Sequence, residues 1–306
     1  MSLLELRGVL KQYDGHTAVD NVSFTVPDGA IFGLLGPNGA GKTSIIRMIT
    51  TITRPDKGQI FVAGQEVGRE TTGRTGYMPE ERGLYKQMEV VDHLTYLARL
   101  KGLSAKQAED ALDYWLDRFD IQTWRGKKVE ELSKGMQQKI QFIATVVHDP
   151  TLIILDEPFS GLDPINTNLI KDEIYELAQR GKQILFSTHR MEQVDEICDY
   201  IVLINKGKNV LEGNVKEIRD RFRENVYEVN VEGELPANIL ARYPERKRLR
   251  DGGRVLSVPE GGDGNALLGE LVGAGLRVTS FREVLPSLDE VFIKQVGAYD
   301  PVLTGK

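Results

Sequence analysis

A glycine-rich segment at residues 36–43, Gly-Pro-Asn-Gly-Ala-Gly-Lys-Thr, constrains the fold of this chain more than any other feature. It fits the pattern G-x-x-x-x-G-K-[ST]. It follows an apolar run at residues 31–35 and precedes a run with helical spacing of apolar residues at 45–49. A strand, a tight turn and a helix in this order bring backbone N–H groups and the positive end of a helix to one point. The segment therefore predicts a phosphate-binding loop in an α/β sheet, with a plain glycine turn before a helix as the alternative.

The residues of this loop have separate expected roles. Lys42 is expected to reach the β- and γ-phosphates and to assist catalysis, Thr43 to bind Mg²⁺ through its hydroxyl group, and Ser44 to contact the phosphates from the first helical turn. The remaining positions are expected to surround the phosphates with their backbone N–H groups: Gly36, Pro37, Asn38, Gly39, Ala40 and Gly41. The loop alone does not distinguish ATP from GTP, or a kinase from a GTPase or a motor.

Two adjacent carboxylates, Asp156 and Glu157, follow a second apolar run at residues 152–155. Open α/β sheets bind their ligands at the carboxyl ends of such strands. Asp156 is expected to hold Mg²⁺, directly or through water. Glu157 is expected to accept a proton from the water that attacks the γ-phosphate, or to orient that water. A polar turn would also place two acids after a strand, but together with the phosphate loop the pair indicates a hydrolytic site.

The rest of the chain shows two successive patterns of alternating strands and helices. Short apolar runs alternate with helical periodicity up to about residue 204, which predicts a parallel sheet covered on both faces. Within this part, residues of about 88–148 contain two amphipathic helices joined near 102–104 and are expected to form a helical subdomain. Charge density rises near 216–225 and a smaller β/α pattern begins. We therefore expect a nucleotide-binding domain at 1–222 and a small α+β domain at 223–306.

Composition limits the class of protein. The chain has 306 residues, of which 41% are hydrophobic and 27% charged, and its apolar runs are far shorter than the roughly 20 residues that a membrane helix needs. Neither a membrane span nor a signal peptide is expected, so the chain should be cytoplasmic. A net charge of −6 gives no general support for nucleic-acid binding. The single cysteine, Cys198, is expected to be a small buried side chain, and His16, His93 and His148 to lie on the surface or at helix ends.

The segment at residues 132–137, Leu-Ser-Lys-Gly-Met-Gln, lies shortly before the apolar run 152–155 that leads to the acid pair. It resembles the signature motif of ABC ATPases, whose usual form is Leu-Ser-Gly-Gly-Gln. Lys134 and Met136 depart from that form, whereas Ser133 and Gly135 are retained. The resemblance implies that these two residues contact the γ-phosphate of a nucleotide. A serine and a glycine also open many ordinary helices, which is the alternative interpretation.

Two further segments follow in the order of the same family, and one residue precedes the phosphate loop. Residues 160–163 resemble the D-loop, which implies a role for Asp163 at the nucleotide, and residues 187–189 resemble the switch region. The resemblance implies that His189 bonds the γ-phosphate and helps to place the attacking water. Tyr13 occupies the family position of an aromatic residue that stacks on adenine, with a core or surface tyrosine as the alternative.

One family position is altered. Residues 76–80, Gly-Tyr-Met-Pro-Glu, stand where the family usually has Tyr-Leu-Pro-Gln, so Glu80 replaces a glutamine. Its carboxylate could reach Mg²⁺ but adds negative charge beside the nucleotide. The longer runs 79–85 and 131–139 are similar to ATP-binding subunits of sodium exporters, an export-type subgroup that also has a small C-terminal domain. The resemblance is close over residues 1 to about 222 and loose beyond.

The resemblance implies a complete architecture and activity. It implies a P-loop ABC ATPase domain with a RecA-like parallel-sheet core, an antiparallel β subdomain and a helical subdomain. Two such domains would pack head to tail and hydrolyse ATP with Mg²⁺ between them. They would drive export through a separate membrane permease, from the cytoplasmic face of the cell membrane. Homodimer and heterodimer remain open, and the transported substrate is not specified.

Two rival functions remain at this point. One is a non-transport ABC ATPase that acts on nucleic acid or ribosomes. Chromosome and repair members have a long coiled coil between their nucleotide motifs, for which the segment between Lys42 and Asp156 is too short. Ribosome-directed members usually have two cassettes, whereas this chain has one phosphate loop. The other rival is a regulatory subunit with an inactive site, and the intact Lys42, Asp156, Glu157 and His189 argue against it.

Overall fold

The computed structural model describes residues 4–81, 83–259 and 261–299. Arg82, in the run that resembles sodium-exporter subunits, lies outside these residues. The chain forms two compact units, Met1–Val215 and Lys216–Lys306. The division lies inside the helix Val215–Arg221, and the boundary expected near residue 222 stays a prediction.

The first unit contains ten strands and seven α-helices among its described residues. In chain order they are β1 (Leu4–Tyr13), β2 (His16–Val26), β3 (Ile31–Leu35), α1 (Lys42–Ile49), β4 (Lys57–Val62), β5 (Gln65–Glu66), α2 (Arg69–Thr72), β6 (Thr75–Met78), α3 (Val90–Leu100), α4 (Ala105–Arg118), α5 (Lys134–Val146), β7 (Leu152–Asp156), α6 (Pro164–Gln179), β8 (Gln183–Thr188), α7 (Met191–Ile197), β9 (Tyr200–Asn205) and β10 (Lys208–Asn214). Two short 3₁₀-helices, Gln122–Trp124 and Val129–Glu131, lead to α5.

The central sheet has the strand order β10-β9-β3-β8-β7-β6. Five of these strands run parallel, and β10 pairs antiparallel with β9 at one edge. Every residue of β3, β7 and β8 is buried, as expected for strands covered on both faces. The predicted α/β fold is confirmed. Because the strands are parallel, the carboxyl ends of β3, β7 and β8 lie at the same edge of the sheet.

A second sheet, with the order β2-β1-β4-β5, is antiparallel throughout. Its inner face shares one apolar core with the central sheet and α1, where the rings of Phe24 and Phe32 stack with centroids 5.3 Å apart. This shared core holds the phosphate loop between the two sheets. The second sheet is the antiparallel β subdomain that the family resemblance implies.

The helices α3, α4 and α5 correspond to the predicted helical subdomain. The expectation for His93 is wrong, because this residue is fully buried within α3. His148 is buried but lies just after the C-terminal end of α5, and His16 is exposed, so both agree with the expected surface or helix-end positions. His93 lies on the same stripe of α3 as Val90 and Leu94, and this stripe faces the interior. Burial lowers the pKa of the His93 and His148 imidazoles to about 4.

The described part of the second unit combines a four-stranded antiparallel sheet, in the order β12-β13-β11-β14, with helices. Its elements are α8 (Val215–Arg221), β11 (Val226–Glu232), α9 (Ala237–Arg242), β12 (Glu245–Arg248), β13 (Arg254–Ser257), α10 (Gly264–Gly273), β14 (Arg277–Glu283) and α11 (Leu288–Tyr299). Val229, Leu256, Leu267 and Leu271 belong to its separate core. In neither unit is any described helix both long and apolar enough to span a membrane.

Candidate active site

The loop between β3 and α1 has a conformation that requires glycine at two positions. Gly36 and Gly41 have φ values of 147° and 111°, in the region that side chains disfavour. A Cβ atom at Gly36 would lie 2.1 Å from the carbonyl oxygen of Ile204, and one at Gly41 would lie 2.3 Å from that of Ala18. The loop is therefore held closely against neighbouring backbone, and α1 begins directly after it at Lys42.

The Lys42 side chain is folded back onto this loop. Its Nζ donates to the carbonyl oxygens of Gly36, at 2.6 Å, and Pro37, at 3.1 Å. Burial lowers the pKa of Lys42, and the nearby carboxylates of Glu157 and Asp156 oppose that shift. The ammonium group is thus bonded to the loop and lies within electrostatic reach of both acids.

A cavity of about 340 Å³ opens at this edge of the sheet, and we call it the loop cavity. Three acidic residues reach it from two segments: Glu80 lies after β6, Asp156 ends β7 and Glu157 follows Asp156. The other residues that line it are Ala18, Asn38, Gly39, Ala40, Gly41, Lys42, Thr43 and Ser44. The structure therefore brings together most of the predicted loop residues and all three predicted acids.

Asp156 and Glu157 are 4% and 8% exposed. Burial raises the pKa of Asp156, and the charges of Glu157 and Glu80 add to this rise. Asp156 would gain from a cation close to its carboxylate, because such a cation offsets the lost hydration. Glu157 has a φ of 50°, a conformation that is uncommon for a side chain with a Cβ and that occurs often at functional sites.

The Glu157 carboxylate is held by the last residue of β8 and the residue that follows it. Its Oε1 accepts a hydrogen bond from the His189 backbone N–H at 2.9 Å and lies 2.6 Å from His189 Nδ1. Its Oε2 accepts a hydrogen bond from the Thr188 hydroxyl at 3.0 Å. The predicted acid and the predicted switch histidine are therefore in direct contact, although His189 does not line the loop cavity.

The contact between Thr188 and Glu157 was not predicted from the sequence, where Thr188 appears only as part of the switch-like segment. Thr188 is fully buried at the end of β8. Its hydroxyl also accepts from the Arg190 N–H at 3.1 Å and lies 3.2 Å from Gln193 Oε1. The position of Thr188 between an apolar strand and His189 was the available signal, since it places the hydroxyl at the edge where Glu157 is expected.

The residues expected at the γ-phosphate from the signature motif and the D-loop do not line the loop cavity. Ser133 caps α5, where its Oγ accepts from the Met136 N–H at 3.3 Å, and Asp163 caps α6 by accepting from the Asn166 N–H at 3.0 Å. Both residues are exposed. A Cβ atom at Gly135 would lie 3.8 Å from an Asn166 side-chain atom, so the two caps are neighbours. They form a polar surface with two helix N-termini.

Tyr13 also lies outside the lining of the loop cavity. It is the last residue of β1, is 38% exposed, and has the Lys11 ammonium 5.4 Å from its ring centroid. Both the adenine-stacking role and the surface alternative are compatible with an exposed ring.

A second cavity, of about 360 Å³, lies beside the site between the end of α1, β6, α3 and α5, and we call it the groove. Two of its lining residues, Ile52 and Leu100, are 60% and 62% exposed. Pro79, which precedes Glu80, also lines it. The groove thus presents exposed apolar side chains, and the loop that contains Pro79 and Glu80 borders both the groove and the loop cavity.

Sequence profiles of known families match both parts of the chain. The profile of the ABC transporter family matches residues 19–160, and that of the C-terminal domain of DrrA1-3-like ATP-binding proteins matches residues 213–296. A profile of an AAA domain also matches residues 126–195. The first match includes the phosphate loop, the signature-like segment and the acid pair.

Individual proteins show the same similarity. YhaQ of Bacillus subtilis, an uncharacterized ABC transporter ATP-binding protein, is 42% identical over 97% of this chain and 99% of its own length. The Nod factor export ATP-binding protein I of Sinorhizobium fredii is 36% identical over 71% of this chain and 64% of its own length. Among solved structures, an ATP-binding subunit of an ABC transporter has a TM-score of 0.68 at 32% identity, over 72% of this chain and 93% of that one.

Proposed function

The chain belongs to the ABC transporter family as an ATP-binding and ATP-hydrolysing subunit, and we propose that it binds ATP with Mg²⁺ in the loop cavity and drives export. The single observation that best supports this site is the meeting of Lys42, Asp156 and Glu157 around one cavity. The loop backbone and Lys42 would bind the phosphates, with Ser44 in the first turn of α1. Tyr13 would stack on the adenine.

The donor atoms around the loop cavity fit Mg²⁺. The Thr43 hydroxyl and the Asp156 carboxylate are hard oxygen donors of the kind this ion prefers, and Glu80 offers a third carboxylate. When bound, Mg²⁺ supplies positive charge that neutralises the phosphate oxygens. The raised pKa of Asp156 is consistent with a side chain whose charge is balanced by a cation.

In hydrolysis, Glu157 would accept the proton of the attacking water. His189 and Thr188 would hold its carboxylate in place through the three contacts described above. His189 would also contact the γ-phosphate, since its side chain remains partly exposed at the edge of the site. Lys42 would stabilise the charge on the transferred phosphoryl group.

We propose that each nucleotide lies between two copies of this chain, or between this chain and a similar one. Ser133, Gly135 and Asp163 form an exposed surface outside the loop cavity of their own chain. Two helix N-termini meet there, and such termini attract anions. A head-to-tail dimer would place this surface of one subunit against the γ-phosphate held by the other.

The export partner would be a separate membrane permease. The groove offers exposed apolar side chains next to the loop that contains Glu80, which suits a segment of such a partner. The Nod factor export relative and the similarity to sodium-exporter subunits favour export over import. The subunit would then lie peripherally on the cytoplasmic face of the membrane, with no nucleic-acid partner. Residues 1–222 would form the ATPase domain and 223–306 the accessory domain.

The substitution Glu157→Gln tests the assignment of the site. Removing the proton acceptor is expected to lower the ATP hydrolysis rate by about 10²- to 10⁴-fold, because positioned acid–base groups contribute on that scale. ATP affinity, measured by equilibrium binding, should stay within about twofold because the phosphate contacts remain. Glu192→Gln, at an exposed position on α7, serves as the matched control. Hydrolysis by Glu157→Gln at the parent rate would show that Glu157 is not the catalytic base.

A further inference from the structure

Two glutamines on one face of α5, Gln138 and Gln141, bond to loops of the active site. Each is 4% exposed. Gln138 Nε2 donates to the carbonyl oxygen of Pro158 at 2.8 Å, and Gln141 Nε2 donates to that of Pro79 at 2.7 Å. Residues three apart on a helix lie on the same side, so a single helix face holds both loops.

The two carbonyl groups belong to residues adjacent to the acids of the site. Pro158 follows Glu157, and Pro79 precedes Glu80. Proline fixes its own φ, so an anchored proline carbonyl also restrains the neighbouring residue. A buried carbonyl oxygen that loses its donor loses a bond that water does not replace. Each glutamine is therefore placed to fix the backbone position of one acidic residue, Gln138 that of Glu157 and Gln141 that of Glu80.

Gln141 has a second contact surface, because it also lines the groove together with Pro79. Its Oε1 is buried and has no hydrogen-bond partner among the described residues. The amide is thus fastened to the Pro79 loop through its nitrogen alone. A displacement of α5 or of the groove wall would therefore act on the Glu80 loop through this one bond.

The helix α5 is packed closely against β6. A Cβ atom at Gly76 would lie 2.3 Å from the Thr145 carbonyl oxygen, so the helix rests directly on β6. The Thr145 hydroxyl bonds to the Gln141 carbonyl oxygen at 2.8 Å, within the same turn. The groove wall, α5 and the Pro79 loop therefore form one continuous packed region.

We propose that Gln141 is a positioning residue for Glu80 and that it links Glu80 to the groove. The proposal rests on the proposed function, in which Glu80 acts at the nucleotide and the groove takes a permease segment. Gln138 is the internal comparison, because it makes the same kind of bond to the loop of Glu157 instead. Substituting Gln141 should therefore act through Glu80, whereas substituting Gln138 should not.

A double-mutant cycle on the full chain distinguishes these two routes. Gln141→Met keeps the size of the side chain and removes the donor. We expect it to lower kcat for Mg-ATP hydrolysis by about 3- to 10-fold, as for the loss of one hydrogen bond, with KM within about twofold. In a Glu80→Ala background the same substitution should change kcat by less than about twofold. Gln138→Met should lower kcat by the same factor in the parent and in the Glu80→Ala background.

Two further variants complete the experiment. Gln141→His retains an N–H donor and should recover much of the lost kcat. Gln179→Met, at the exposed end of α6, should match the parent in both backgrounds. Melting temperatures of all variants show whether each is folded.

The proposal is overturned if Gln141→Met lowers kcat by the same factor with and without Glu80, since a purely structural role, including partial unfolding, acts equally in both. It is also overturned if Gln141→Met leaves kcat unchanged in the parent background. Glu157→Gln, measured in parallel, distinguishes a failure of the Gln141 proposal from a failure of the proposed function. Parent-like hydrolysis by Glu157→Gln contradicts the proposed site, whatever the outcome of the cycle.

Discussion

At the scale of single residues, the contacts of Glu157 are the most informative. Both carboxylate oxygens are engaged by Thr188, at the end of β8, and His189, directly after it. The terminal torsion of a free carboxylate is broad, so contacts to both oxygens restrain the orientation of the group. If Glu157 is the catalytic base, we expect its reactivity to depend on the uncharged hydroxyl group of Thr188.

Thr188→Val tests this dependence. Valine has nearly the same shape but no hydroxyl group, so Glu157 Oε2 loses its donor in a buried place. We expect kcat for ATP hydrolysis to fall about tenfold while ATP affinity remains unchanged, and Thr188→Ser to retain most of the parent rate. Steady-state kinetics with equilibrium ATP binding measures both. A Thr188→Val variant that hydrolyses ATP as fast as the parent would show that the Thr188 hydroxyl does not position Glu157 for catalysis.

At the scale of elements, local patterns were predictable and long-range contacts were not. The strand, loop and helix from β3 to α1 follow from glycine spacing and apolar periodicity, and β7 with its two acids follows from an apolar run. The bond between Thr188 and Glu157 joins residues 31 positions apart, and sequence spacing alone gives no measure of such a distance. The short elements β5, α9 and β12 were missed because they are too brief or too exposed to show a period.

His93 shows that the helical pattern around a histidine decides its burial. This residue was expected to lie on the surface or at a helix end. Its spacing from Val90 and Leu94 puts it on the buried stripe of α3 instead, where Tyr85 packs edge-on against the ring with centroids 5.6 Å apart. Periodicity was the better guide at this position. Both ring nitrogens are buried without a hydrogen-bond partner among the described residues.

This burial makes the stability of the first unit depend on pH. Burial lowers the pKa of His93 to about 4, from an ordinary value of 6.5. Between these values the unfolded chain binds the proton more readily, so the stabilisation is complete above about pH 6.5 and is lost as pH falls toward 4. We expect His93 to contribute about 1 kcal/mol to the loss of unfolding free energy between about pH 7.5 and about pH 5.5.

Urea unfolding of His93→Leu and of the parent at both pH values measures this contribution. The variant should lose less stability than the parent on acidification, by about 1 kcal/mol. His16→Leu, at an exposed position, is the matched control and should follow the parent. An equal acid loss in His93→Leu and the parent would show that the imidazole is not buried as described.

At the scale of the whole molecule, the residues proposed for the nucleotide site lie in two separate places. Lys42, Asp156 and Glu157 line the loop cavity, whereas the exposed Ser133 and Asp163 and the half-buried Gly135 lie outside it. The family resemblance implied a site shared between two subunits, whereas the distances that separate these residues within one chain could not be read from sequence order. The described part of the second unit has its own core. We therefore propose that ATP joins two subunits.

The most direct test of this claim is the mass of Glu157→Gln in solution with Mg-ATP, measured by light scattering. With hydrolysis stalled, saturating ATP should convert the protein to a species of twice the 34.2 kDa chain mass. Adding Ser133→Arg to this variant should restore the single-chain mass while ATP still binds, because the bulky side chain occupies the place of the partner's γ-phosphate. A Glu157→Gln protein that binds ATP and keeps the mass of one chain would contradict the shared site.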